Sequence, residues 1–211
     1  MSLFKTALAG AVMLTLSLPM PALAQDCAVG IKPPPAGSWS EYTTADGTMR
    51  LALLGSETRA GKNLFRMEIS MTGKDGPMIM QVLAPGYPYE MSSIEDFVIK
   101  AAGRPAMRMP SQMLQMMSSR MPKDQIAEFC RNAQMNRVGE ESITVPAGTF
   151  QTIHYRDAAS GNDVWVSESI PFGLVKTRLK NGDEIVLKGR GTDARSQITE
   201  TPQEMGMPGR P

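Results

Sequence analysis

The chain has 211 residues, of which 42% are hydrophobic and 20% are charged, with 19 Gly and 16 Pro. This composition excludes a disordered polyelectrolyte and a collagen-like repeat, and it is sufficient for a packed core. The 22 Lys and Arg residues nearly balance the 21 Asp and Glu residues. A chain without an excess of positive charge is a poor match for nucleic acid, so we expect no nucleic-acid partner.

Residues 1–24 have the pattern of a secretory signal peptide. Lys5 is the only charged residue among them, an apolar run covers residues 6–18, and Ala22 and Ala24 precede the expected cleavage point. The run is shorter than the roughly 20 apolar residues that a membrane-spanning helix needs. We therefore predict that the signal peptide is cleaved and that the mature protein is periplasmic.

Cys27 and Cys130 are the only cysteines in the sequence. Export would place both in an oxidising compartment, where thiols tend to pair. We therefore predict a disulfide bond between them. The alternative is a reactive or metal-binding pair of thiols, which is less favoured because neither cysteine has a CxxC partner or a neighbouring His.

Short β-prone runs alternate with turn signals along most of the chain, a pattern typical of antiparallel sheet. The strongest turn signal is Asn181-Gly182, and the residues from Leu64 to Met71 alternate between polar and apolar side chains. Strands are predicted at residues 39–44, 48–54, 63–72, 77–83, 97–101, 137–145, 150–156, 163–167, 174–179, 184–188 and 194–199. We expect one domain over residues 25–200 and a disordered tail over residues 201–211.

A helical insertion is predicted at about residues 110–133. Pro110 suits the first position of a helix, and one apolar stripe follows it over an arc of about 160°. The stripe consists of Met113, Leu114, Met116, Met117 and Met121. A second short helix is expected to begin at Pro122.

Several motifs in the last third of the chain carry a family resemblance. They are VPAGTF at residues 145–150, His154-Tyr155, VWVS at 164–167, IPFGLVK at 170–176 and the glycines of residues 189–191. Together they resemble exported bacterial proteins of the lipoprotein-localisation-factor-like superfamily, and most of all its uncharacterised members. The resemblance implies an incomplete antiparallel β-barrel whose apolar concave face is covered by short helices and receives acyl chains. The predicted fold class is therefore mainly β, an incomplete antiparallel barrel with a helical lid.

The sequence offers little support for catalysis. His154 is the only histidine, so a zinc site made of histidines is excluded and a catalytic triad would have to use this residue. No G-x-S-x-G motif is present, and a half-exposed histidine on a strand explains His154 equally well. We therefore expect a protein that is not an enzyme, with no catalytic residues, cofactor or metal.

Methionine is the unusual component of the sequence, with 18 residues in the whole chain. Three interpretations remain open: core filling, a lid that adapts to an apolar ligand, and a thioether site for Cu(I). The spacings Met78-x-Met80 and Met107-x-Met109 are compatible with the metal. The amphipathic stripe favours a non-enzymatic carrier of lipid or another apolar molecule, served by a transient envelope partner of unknown identity. The predicted ligand-binding residues are Met107, Met109, Met113, Leu114, Met116, Met117 and Met121.

Overall fold

The computed structural model describes residues 33–74, 76–119, 136–158 and 160–206. These residues form a twelve-stranded sheet, one α-helix and a short 3-10 helix at Met91–Ser93. The helix, α1, covers Ser111–Ser118. The strands are β1 (Trp39–Thr44), β2 (Gly47–Arg59), β3 (Lys62–Thr72), β4 (Met78–Ala84), β5 (Asp96–Ala101), β6 (Met107–Arg108), β7 (Arg137–Val145), β8 (Gly148–Asp157), β9 (Asn162–Val166), β10 (Leu174–Arg178), β11 (Glu184–Gly191) and β12 (Gln203–Glu204).

The sheet consists of two antiparallel meanders that meet at β1. One meander runs outward from β1 through β2 to β6, and the other runs from β7 back through β11 to the opposite side of β1. Within the described residues β12 and β7 are the two ends of the sheet, so it is not closed into a barrel. This confirms the predicted mainly β, incomplete antiparallel architecture.

Tight turns connect the strands. Between β2 and β3, Ala60 and Gly61 both have positive φ angles, of 48° and 75°. Two consecutive residues with positive φ give a two-residue hairpin whose twist matches that of the flanking strands. Between β10 and β11, Gly182 of the predicted Asn181-Gly182 turn has a φ of 92°.

The C-terminal segment differs from its prediction in two places. No strand forms at residues 194–199, where the amides of Gln197 and Ile198 donate to the side chains of Glu68 and Ser196 instead of to a neighbouring strand. The expected disordered tail is wrong for its first residues, because β12 pairs in parallel with β6. This strand forms because the amide of Gln203 donates to the carbonyl of Ala106.

The helical insertion is present in its first part. Helix α1 lies inside the predicted range and contacts the 3-10 helix at Met91–Ser93, and none of its residues is buried. Residues 120–135, which include Met121, Cys130 and the predicted second helix, lie outside the described residues. The same holds for the signal peptide and Cys27, so the disulfide stays a prediction. None of the described helices is long and apolar enough to cross a membrane.

Two apolar clusters lie on one face of the sheet, which we call the inner face. One cluster joins β1, β7, β8, β10 and β11, and its buried members are Tyr42, Val145, Phe150, Ile170, Val175 and Leu187. The other joins β2, β3 and β4 to the loop before β10, with Leu53, Met67, Val82, Ala84 and Phe172. On the opposite, outer face, the C-terminal segment places Ile198 against Val98 and Ala106.

Candidate functional site

Apolar side chains form three cross-strand rows on the inner face between β2 and β6. Residues directly opposite each other in a sheet project from the same face, so the strand register defines these rows. The first row is Met49, Met71, Met78 and Ala101. The second row is Leu51, Ile69, Met80, Ile99 and Met107. The third row is Leu53, Met67, Val82 and Phe97.

The three rows differ in exposure. Every member of the first two rows is half-buried, whereas Leu53, Met67 and Val82 of the third row are at most 3% exposed. Phe172 packs on the third row and contacts Tyr87 edge to face, with ring centroids 5.1 Å apart. The inner face is therefore closed over the third row and open to solvent over the first two.

Phe172 reaches its place through an uncommon backbone conformation. Its φ is 66°, in the left-handed region that a bulky residue rarely adopts. The loop around it is fixed from β1, where Ser40 donates to the carbonyl of Pro171 and Tyr42 donates to that of Leu174. Both donors are buried. The packing of Phe172 over the third row is thus held by the loop and by β1 together.

An open cleft of about 560 Å³ is lined by all four residues of the first row. Its apolar lining includes Met49, Met71 and Met78, and its rim carries one carboxylate and one ammonium group, Asp46 and Lys74. Thr44, Thr48 and Thr72 also line the cleft. The cleft thus offers a soft apolar wall with a polar border.

The predicted ligand-binding residues are divided between two places. Met107 belongs to the second row, and Met109 lies beside it, with its amide donating to the carbonyl of Phe97. Four of the others lie on α1, where Met116 and Met117 are 50% and 37% exposed. Met121 lies outside the described residues. Met113 and Leu114 are half-buried, and Leu114 lines a separate cleft with Ile94.

Helix α1 and the open cleft lie at opposite ends of the strands. The cleft is lined by Met78 at the start of β4, and the helix contacts the 3-10 helix that follows the last residue of β4, Ala84. Six residues of strand separate these points by about 20 Å. In the described conformation the helix does not cover the cleft, and its action as a lid stays a prediction.

Sequence reasoning did not assign Met49, Met71, Met78 and Met80 to an apolar ligand site. The signal was present in two places: the alternation from Leu64 to Met71 and the spacing Met78-x-Met80. Residues two apart on a strand share a face, so both patterns indicate one apolar face. The pairing of β3 with β4, which joins the two patterns, is not visible in the sequence.

A polar cluster joins β8, β9 and β10. His154 Nε2 lies 2.7 Å from Asp163 Oδ1, and His154 Nδ1 lies 3.1 Å from Glu141 Oε1. Asp163 also accepts hydrogen bonds from Arg156 and Arg178, each at 2.7 Å. His154 is 8% exposed, so the expectation of a half-exposed residue is wrong. It is buried because Trp165 stacks on its ring.

The charged groups of this cluster are paired with one another by hydrogen bonds. Hydrogen bonding from the Arg156 guanidinium, with further bonds from Arg178 and His154, holds the pKa of Asp163 well below its usual range, although burial acts in the opposite direction. The carboxylate is therefore fixed as an ion at neutral pH and is occupied by its partners. This arrangement suits a structural role, in which the ion pairs hold three strands together, better than proton transfer to a substrate. Among the described residues, no group of three or more His, Cys, Asp or Glu side chains could hold a metal ion.

Comparisons with known proteins place the chain in no family. No family model and no curated protein matches it. Among solved structures, it is similar to a candidate lipoprotein from Parabacteroides distasonis ATCC 8503, with 17% identity and a TM-score of 0.34 over 76% of this chain and 97% of that one. It is also similar to a candidate exported protein with a YmcC-like fold from Bacteroides fragilis NCTC 9343, with 12% identity and a TM-score of 0.35 over 76% and 98% of the two chains. Similarity at this level carries no conclusion about function.

Proposed function

We propose that the protein is a non-enzymatic, periplasmic carrier or binding protein for lipid or another apolar molecule. The observation that carries this proposal is the pair of half-buried apolar rows on the inner face, open to solvent beside a third row that is closed by Phe172. A contiguous apolar surface that is only half-buried is costly in water unless a ligand or partner covers the rest of it. Export is supported by the signal-like pattern of residues 1–24, and the carrier role by the resemblance to the lipoprotein-localisation-factor-like superfamily.

The chemistry of the rows fits a flexible hydrocarbon chain. Methionine side chains are unbranched and polarisable, so they adapt to ligands of varied shape. Burying about 200 Å² of an acyl chain contributes about 5 kcal/mol before the costs of association are subtracted. A gain of about 5 kcal/mol corresponds to a dissociation constant of about 0.2 mM, so we expect weak binding, which suits a carrier that must release its ligand to a transient partner.

A fluorescent fatty acid tests the proposal. Protein stripped of bound lipid is titrated with dansylundecanoic acid, and the same titration is run on Met80→Glu, which places a charge in the centre of the second row. The matched control is Val138→Glu, because Val138 is 58% exposed on β7. We expect saturable binding by the wild type and the control, and at least about tenfold weaker binding by Met80→Glu, since a charge must be desolvated there. Absence of saturable binding, or equal binding by Met80→Glu, would contradict the proposal.

The lid role of α1 has its own test. Met117 is 37% exposed, so Met117→Lys should fold as the wild type does. If the helix closes over a bound ligand, this variant binds the probe more weakly. Unchanged affinity would remove the helix from the site and leave the rows as the binding surface.

A further inference from the structure

We propose that Met49, Met71 and Met78 form a binding site for a soft monovalent cation, Cu(I) or Ag(I). The three residues are consecutive members of the first row, with Met71 between the other two. All three side chains line the open cleft and are half-buried. The proposal uses only these thioethers and does not rest on the binding of an apolar ligand.

The register brings the three sulfur atoms within reach of one ion. Directly opposed residues on neighbouring antiparallel strands have Cβ atoms about 5 Å apart, and two strands on either side of a third are about 10 Å apart. Rotation about the Cα–Cβ and Cβ–Cγ bonds of an unbranched methionine side chain moves its sulfur, so the sulfur can turn toward a common point above the central strand. Met49 and Met78 can therefore approach an ion at Met71 from opposite sides.

The donor set decides the class of metal. Thioether sulfur is a soft, neutral ligand that selects Cu(I) over hard cations such as Mg²⁺ and Ca²⁺. The ion brings a single positive charge, and Asp46, one of the residues that line the same cleft, can balance it. Lys74 at the rim opposes binding, which favours an ion of low charge over a divalent one. Binding changes neither the oxidation state of the ion nor the protonation of the thioethers.

This site differs from the one that the spacings in the sequence suggest. Met78 and Met80 lie on the same strand but in different rows, with Met80 paired to Ile69 and Ile99. Met107 is paired to Ile99 at the far side of β5. The register therefore separates the thioethers of Met80 and Met107 with isoleucine, while it places those of the first row side by side.

Titration of the full chain with Ag(I) tests the proposal, after any free thiol is blocked with N-ethylmaleimide so that cysteine cannot contribute. With ¹³C-methyl methionine, NMR reports each thioether separately. We expect one Ag(I) per chain and shifted methyl resonances for Met49, Met71 and Met78. Met91 is the control, because it is exposed on the 3-10 helix, and its resonance should not move.

A conservative variant tests the thioether of Met71. Met71→Leu keeps an apolar side chain of similar volume, so it should fold as the wild type does. It should bind Ag(I) at least about tenfold more weakly, because loss of a ligand costs no less than loss of a supporting contact. Met91→Leu should bind Ag(I) as the wild type does. Binding of less than one ion per chain, shifts confined to other methionines, or equal affinity of Met71→Leu would overturn the proposal.

Discussion

His154 stacks on Trp165 across β8 and β9, with ring centroids 4.4 Å apart and the ring planes 16° from parallel. Both residues are at least nine-tenths buried, and Trp165 Nε1 donates to Glu141 Oε1 on β7 at 2.6 Å. Arg178 and Lys176 on β10 approach the indole ring. Aromatic and charged side chains thus join four consecutive strands, β7 to β10, whereas apolar rows join β2–β4 on the inner face.

Asp163 is the residue on which these contacts between strands depend. Replacement by Ala removes the common acceptor of His154, Arg156 and Arg178 and leaves a buried histidine without its closest partner. The arginines are half-exposed and regain water, so we expect a loss of about 2–3 kcal/mol in the free energy of unfolding. Urea denaturation measures it. Asp183→Ala, in an exposed turn, is the control and should change stability by less than about 0.5 kcal/mol.

Acid pH should weaken the same contacts of Asp163 between strands. The pKa of Asp163 is lowered in the folded protein, chiefly by Arg156, so the unfolded chain takes up a proton at a higher pH than the folded one. The stabilising contribution is therefore complete above the ordinary aspartate pKa of about 4 and is lost as the pH falls below it. The difference in urea midpoint between wild type and Asp163→Asn should shrink from pH 6 to pH 3. A constant difference over this range would contradict the assignment.

Alkaline pH should destabilise the inner face at the third row, where Tyr87 contacts Phe172. Burial, with a smaller contribution from Tyr89, raises the pKa of Tyr87 to about 12. Because the folded pKa lies above the unfolded value of about 10, the contribution of Tyr87 is complete below pH 10 and is lost as the pH rises toward 12. Tyr87→Phe should therefore lose less stability between pH 9 and pH 11 than the wild type. Parallel pH profiles for the two proteins would contradict this.

The strands and turns were predictable because local signals determine them. Asn181-Gly182 and Ala60-Gly61 specify hairpins whatever the strands contact, and alternation from Leu64 to Met71 specifies a face. Register and partner choice depend on contacts between distant segments, which is why the methionine rows could not be assembled from the sequence. For the same reason residues 194–199 were mistaken for a strand, since their amides bind the side chains of Glu68 and Ser196.

The glycines of the 189–191 motif also have a tertiary explanation. A Cβ at Gly191 would lie 2.5 Å from Trp39 Nε1, and this indole is held by a 2.7 Å hydrogen bond to Asp193. The ring cannot move aside without losing that bond, so Gly191→Ala should cost about 1–3 kcal/mol. Gly55→Ala is the control, because no atom lies within 4 Å of its added Cβ. Thermal unfolding compares the two, and equal melting temperatures would show that the indole is free to move.

Native mass spectrometry of the protein purified from its own host tests the central claim most directly. An apolar ligand on the first two rows should appear as added mass that is lost on collisional activation and that is absent from Met80→Glu prepared in the same way. Val138→Glu should carry the same added mass as the wild type. If the wild type shows only the mass of the bare chain and gains none on incubation with fatty acid, the inner face is not a ligand site.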